Sequence, residues 1–332
     1  MLRYLIRRLF VMIPTLIAIS FLIFVIIQAP PGSFLDTYMA ELQSQGENVD
    51  QGRIEFLRHE YGLDQPFYMQ YLKWGIGLLH GDLGYSFEHN MPVRDVVGDS
   101  LWLTVMVTLA TTLFVWVISF PIAIYSAVRQ YSIGDYVFTF LGYIGLAAPS
   151  FLIALILLYF GHLWFGISIG GLMDARYIGQ PWSWAKASSI LSHIWIPVLV
   201  IGLPGTAGMI RRLRANLLDE LHKQYVTTAR AKGLSGWRLL LKYPLRVSLN
   251  PFIADIGSLL PELISGSVIV SVVMSLPLTG PILLQALRSQ DMYLAGSFLM
   301  FMAFLTVVGV FISDILLAIV DPRIRLGGGT TK

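Results

Sequence analysis

The chain has 332 residues, of which 55% are hydrophobic and 13% charged, with no cysteine, a net charge of +3 and a mean hydropathy of +0.68. An average soluble domain carries roughly 25% charged residues, so a water-soluble globule is excluded, and the lack of cysteine excludes disulfide scaffolds, thiolate metal sites and a cysteine nucleophile. So small a net charge does not point to nucleic acid; where the charges stand matters more than their sum.

Apolar runs of about 20 residues cross a hydrocarbon core about 30 Å thick at about 1.5 Å per residue. Six such runs, 9–29, 101–128, 136–165, 190–210, 252–275 and 295–320, predict an all-α integral membrane protein with six transmembrane helices. Arg3, Arg7 and Arg8 precede the first run in the manner of a secretory signal. That run is long, and Gln28-Ala29-Pro30-Pro31 has no small-x-small cleavage site, so an uncleaved first helix is expected. The chain then divides into 1–29 (cytoplasmic start and first helix), 30–100 (a large extracytoplasmic loop), 101–320 (a five-helix core carrying a basic loop at 211–251) and a cytoplasmic tail, 321–332. Pro14, Pro121, Pro149, Pro197 and Pro261 stand inside the runs and predict kinks.

Lysine and arginine test the orientation. With both termini cytoplasmic, 16 of the 23 fall on the inner side, nine of them in the basic loop, and 7 face 13 acids outside, 11 of those in the first loop. This is the positive-inside pattern. An acidic first loop also suits a docking surface, with a merely solvated loop as the alternative. No internal repeat of 20 to 50 residues is visible, which disfavours a self-contained transporter of the inverted-repeat kind and points to one half of a larger assembly. There is no G-x4-G-K-[ST] phosphate loop, no H-E-x-x-H and no G-x-S-x-G, and the six histidines have no ligand spacing.

The basic loop is the most informative segment. Residues 217–232 lack proline and glycine and predict a helix whose last turn carries Arg230 and Lys232, with Gly233 as its stop. A second short helix, 237–243, ends at Pro244, and Asn250 with Pro251 predicts the N-cap and first turn of the fifth span. Three uses fit such an elbow: an amphipathic hairpin resting on anionic headgroups, a DNA-binding helix-turn-helix, which its position between two spans disfavours, or a lever that docks into another protein. Asp255, Glu262 and Asp314 fall within or at the edges of spans, where charge is expensive. Glu262 follows Pro261 near mid-span, seven residues after Asp255 and on the same helix face, as a wall of a translocation path requires. The alternative is a hydrogen bond made for packing. His162 and His193 read as satisfied interfacial histidines.

The run Gln224-Tyr225-Val226-Thr227-Thr228-Ala229-Arg230-Ala231-Lys232-Gly233-Leu234-Ser235 resembles the cytoplasmic EAA loop of bacterial ABC importer permeases of the dipeptide/oligopeptide type. The resemblance extends to the basic start with Ala29-Pro30-Pro31-Gly32, to Tyr61-Gly62-Leu63-Asp64-Gln65-Pro66 and Gly81-Asp82-Leu83-Gly84-Tyr85-Ser86, to Pro277 through Gly280 with Arg288, Asp291 and Gly296, and to Asp314 through Asp321-Pro322-Arg323. Tyr243, Pro244 and Val247 depart from His, Ala and Asn in many members, and Ser271 from a frequent Glu. The resemblance implies that Tyr225, Thr228, Ala229, Arg230, Ala231, Lys232, Gly233 and Leu234 form a coupling helix entering a cleft on an ATPase. It implies as partners a homologous second permease, two cytoplasmic ATPase subunits, an extracytoplasmic binding protein and the lipid bilayer of the bacterial inner membrane, with no nucleic acid. ATP and magnesium would act on the ATPases, and this chain would bind no cofactor. The cargo stays open among dipeptides, longer peptides, opines, oligosaccharides and nickel complexes. The competing classes are a stand-alone channel or carrier, for which the elbow has no use, and a membrane-embedded enzyme using Glu262 with His193, for which no nucleophile or metal motif is present.

Overall fold

A computed structural model describes residues 2–29, 52, 55, 59, 64–86, 88, 89, 91–165, 170–234 and 236–320. The expectations placed on most of 30–63, including the acidic surface and the Tyr61–Leu63 motif, on Ser235 and on the 321–332 tail lie outside these residues.

The chain is mostly helical. Four helices are long and apolar enough to cross a membrane, Leu5–Gln28, Val93–Val128, Trp195–Leu221 and Met292–Val320, and two bent pairs raise the number to as many as six if each pair is one span. In chain order the elements are α1 (Leu2–Gln28), α2 (Phe67–Leu79), the two-residue strands β1 (Tyr85–Ser86) and β2 (Met91–Pro92), α3 (Val93–Val128), α4 (Ile133–Ala147), α5 (Ser150–Phe165), α6 (Trp184–His193), α7 (Trp195–Leu221), α8 (Gln224–Ala231), α9 (Gly236–Lys242), α10 (Pro244–Ser248), α11 (Asn250–Val273), α12 (Thr279–Arg288) and α13 (Met292–Val320).

Several boundaries correct the sequence reading. The run 136–165 is two helices turned by 97° at Ala148-Pro149. The proline ring forbids helical backbone at the residue before it, and Ala148 is extended at φ −80°, ψ 124°. The fifth run bends by 54° between Leu259 and Pro261, where proline removes a backbone donor. The fourth run splits: 184–193 is a separate helix, and α7 continues well past 210. It continues because Leu213 and Leu217, both fully buried, carry the apolar stripe onward at i, i+4 beyond Arg211 and Arg212. Val93 and Val97 likewise bring the start of α3 forward into the segment expected to be loop. Pro197 falls in the first turn of α7, where no donor is needed, and Pro204 is its interior proline.

The chain forms two compact units. One comprises the described residues of 1–5, 103–278 and 308–332, the other those of 6–102 and 279–307. In the first, α7 is the axis, with α4, α5, α10 and α11 against it. Its main core gathers Val107, Ala154, Leu172, Ile190, Val200, Val270 and Met274. In the second, Phe24 and Trp74 are buried in an aromatic cluster with Phe67 and Tyr71. The strands β1 and β2 pair antiparallel, Tyr85 opposite Pro92 and Ser86 opposite Met91.

Candidate functional site

The basic loop folds as three short helices, α8, α9 and α10, between the end of α7 and the start of α11. The single helix expected over 217–232 is broken, with α7 ending at Leu221 and Lys223 extended at ψ 147°. The reason is phase. Val226 stands nine residues after Leu217, two and a half turns, so an unbroken helix would put the two on opposite faces. The break lets both be buried, Leu217 with Ala127, Leu240 and Leu245, and Val226 with Ala229 and Leu239. Across the break, the Tyr225 hydroxyl donates to the Glu220 carboxylate. Burial and this hydrogen bond push the Tyr225 phenol above its ordinary pKa.

The end of α8 is tightly made. Leu234 N donates to Ala229 O at 3.2 Å and Gly233 N to Arg230 O at 3.0 Å, the paired bonds of a Schellman cap, with Gly233 at φ +85°. Leu234 and Tyr243 pack on the Val226, Ala229 and Leu239 cluster. Of the eight expected coupling residues, Ala229 therefore faces inward and holds α8 on the elbow. Tyr225, Thr228, Ala231 and Lys232 lie along its exposed side, with Arg230 also exposed and Leu234 half-buried. Among the described residues, neither the Arg230 nor the Lys232 side chain forms an ion pair. Asn250 is not the expected cap of α11. It is the first helical residue, its Oδ1 is buried, and it has no hydrogen-bond partner among the described residues.

Ion pairs fix the root of the elbow. Arg214 grips Asp135 with two bonds, Nε to Oδ1 at 2.8 Å and Nη2 to Oδ2 at 2.7 Å. Asp135 also accepts from Tyr131 N at 3.0 Å, so one buried carboxylate ties the α3–α4 link to α7. Arg212 Nη2 meets Asp255 Oδ2 at 2.5 Å, and its guanidinium lies 4.6 Å over the Phe252 ring. Sequence reasoning missed Asp135 and Arg214 as a site. The only local signal was Ser132, whose Oγ caps α4 through Asp135 N.

Within the same unit lies a cavity of about 870 Å3 lined by α3, α7 and α11, with Ser150 of α5. Glu262 is in its wall, as are Asp255, Arg211 and Arg212. Pro261, half-buried, is not. His193 is elsewhere, its Nδ1 2.7 Å from Ser189 O and its Nε2 3.9 Å from Asp174 Oδ1, so the structure does not bring Glu262 and His193 together. Arg176 holds the Asp174 carboxylate below its ordinary pKa range. No group of three or more His, Asp or Glu side chains able to hold a metal occurs among the described residues.

Helices long and apolar enough to cross a membrane, a cavity between them and a cationic, firmly capped elbow between two of them are the architecture of a membrane transport subunit. Residues 119–326 match the family described as binding-protein-dependent transport system inner membrane component, and residues 1–108 match its N-terminal companion. The chain is 35% identical over 330 residues to the oligopeptide transport system permease protein AppB of Bacillus subtilis, covering 97% of this chain and 99% of that one. It is 32% identical over 330 residues to a putative peptide permease of Brucella ovis (98% and 100% covered). With the dipeptide transport system permease protein DppB of Escherichia coli K12 it shares 28% identity over 345 residues (98% and 99% covered). The chain belongs to this family of binding-protein-dependent permeases. It is a multi-pass inner-membrane transport subunit of an ABC importer, and ATP hydrolysis belongs to separate subunits.

Proposed function

We propose that the chain forms one half of the membrane channel of a peptide importer, with six spans, both termini in the cytoplasm and the first loop outside. Two relatives are permeases for oligopeptides and dipeptides by name, which supports peptides as the cargo. A second, homologous permease completes the path, two cytoplasmic ATPases bind ATP and magnesium, and an extracytoplasmic binding protein delivers the solute. Glu262, beside the Pro261 bend, lines the path. Closure of the ATPases is transmitted through α8 to α7 and α11, alternating access between the two sides.

The observation that carries this reading is the Schellman-capped helix Gln224–Ala231, with Tyr225, Thr228, Ala231 and Lys232 exposed along one side and its buried side fixed to α9. A carrier that powers itself has no use for so rigid a projection. Gly233→Val tests it. No atom lies within 4 Å of a Cβ built there, so the cost is confined to the left-handed backbone, about 1–3 kcal/mol. In proteoliposomes holding the assembled importer, transport is expected to fall at least tenfold while ATP hydrolysis persists and membrane insertion stays normal. Undiminished transport would remove the lever from the mechanism.

A further inference from the structure

Four charged side chains line the cavity of the first unit: Arg211, Arg212, Asp255 and Glu262. Arg212 and Asp255 neutralise each other at 2.5 Å. Among the described residues, Arg211 and Glu262 have no ionic or hydrogen-bonding partner, and both are exposed to the cavity. Two opposite charges are thus left lining the same cavity. Arg211 is next to Arg212, which is level with Asp255. Glu262 is seven residues further along α11, at most about 10 Å deeper at 1.5 Å per residue. A carboxylate left without a partner at this depth is costly unless water or a cation attends it.

From this division we infer that Glu262 is the counter-ion for an ammonium group of the solute in transit and Arg211 the counter-ion for a carboxylate, so that the cavity selects small zwitterions. The spacing matches an extended chain of two or three residues at about 3.3–3.6 Å each. The inference rests on the proposed transport role and adds to it the charge pattern of the cargo and the residues that read it. Glu262 then acts by attraction that a passing solute can leave. A single charge across a water-filled gap gives a several-fold preference rather than tight binding.

The natural lack of cysteine allows a direct test. Gly266 lines the cavity one turn beyond Glu262, and nothing lies within 4 Å of a Cβ built there. In the assembled importer, Gly266→Cys should react about tenfold faster with a cationic methanethiosulfonate than with an anionic one, after correction for their rates with a free thiol. Adding Glu262→Gln should bring that ratio close to one, whereas Glu262→Asp should keep most of it. Ala215→Cys, one turn beyond Arg211 and also in the wall, should favour the anionic reagent and lose the preference with Arg211→Gln. In transport, Glu262→Gln should lower uptake of trialanine several-fold and leave N-acetyl-trialanine unchanged. A thiol ratio insensitive to Glu262→Gln, or an equal loss for both peptides, overturns the assignment. Failure of the unmodified importer to move either peptide would count against peptides as cargo, and the thiol ratios would still decide the charge assignment.

Discussion

A single carboxylate organises the second unit. Asp291 is fully buried and accepts from Ser86 Oγ at 2.6 Å, Glu88 N at 3.3 Å and Leu294 N at 3.1 Å. The last bond caps α13 and the first two hold the turn after β1, so one side chain joins residues some 200 positions apart in sequence. Gly84, before that turn, has two reasons to be glycine: its φ is +80°, and a Cβ would stand 2.3 Å from the Tyr293 ring. Asp291→Asn keeps the size but turns an amide donor toward groups that already donate, leaving buried donors opposed. Bonds to charged groups contribute about 1.5–3 kcal/mol each, so a loss of about 3 kcal/mol is expected, visible as a lower melting temperature of the detergent-purified importer. Ser289→Ala, which removes only bonds to the carbonyls of the last turn of α12, should change stability by about 0.5 kcal/mol at most. Equal melting of the two variants would show that the Asp291 network does not hold this unit.

Between elements, α11 and α13 cross closely in the first unit. A Cβ on Gly257 would stand 2.5 Å from Val310 N, and one on Gly309 would stand 2.9 Å from Gly257 Cα. Ser313 Oγ bonds the Ile253 and Ala254 carbonyls across the same crossing at 2.6 and 2.9 Å. Small residues let two backbones meet where lipid supplies no hydrophobic drive. Gly257→Ala must therefore push the helices apart, at about 1–3 kcal/mol. Gly266→Ala, on the same helix but in open space, should be tolerated. Comparing the thermal aggregation of the two variants checks this, and indistinguishable behaviour would mean that the crossing yields freely. Such a contact was not legible in the sequence, where Gly257 is one glycine among 30. The apolar runs were legible because about 20 consecutive apolar residues match the hydrocarbon thickness of a bilayer. The bends at Pro149 and Pro261 were legible as prolines, but not as a turn of 97° beside one of 54°. The angle depends on what packs around the break. In the elbow, the Gly233 stop and the basic last turn were readable from local chemistry. The division at His222–Lys223 was not, because it arises from tertiary burial of Leu217 and Val226 on opposite phases. The cavity side chains were half readable: Glu262 announced itself as a charge in an apolar run, but its isolation appears only once Arg212 is seen to take Asp255.

At the scale of the molecule, a net charge of +3 conceals a separation. On the proposed six-span topology, 16 bases and 4 acids lie inside and 7 bases and 13 acids outside, and the remaining 3 acids lie within spans. On that topology the difference orients the chain during insertion, and most of the inner excess lies in the basic loop, the segment proposed to meet the ATPases. The topology makes a direct prediction that needs no removal of native thiols, because there are none. Trp184 is 92% exposed at the start of α6, on the side read as extracytoplasmic. Lys232 is exposed at the end of α8, on the side read as cytoplasmic. In spheroplasts, a membrane-impermeant maleimide should label Trp184→Cys within minutes and leave Lys232→Cys unlabelled until the membrane is opened by detergent. Labelling of both before detergent, or of Lys232→Cys alone, would overturn the six-span arrangement, since an elbow outside the membrane could not meet an ATPase in the cytoplasm. The expected pattern would place α8 where ATP-driven closure can act on it, and the cavity with its two uncompensated charges directly beyond.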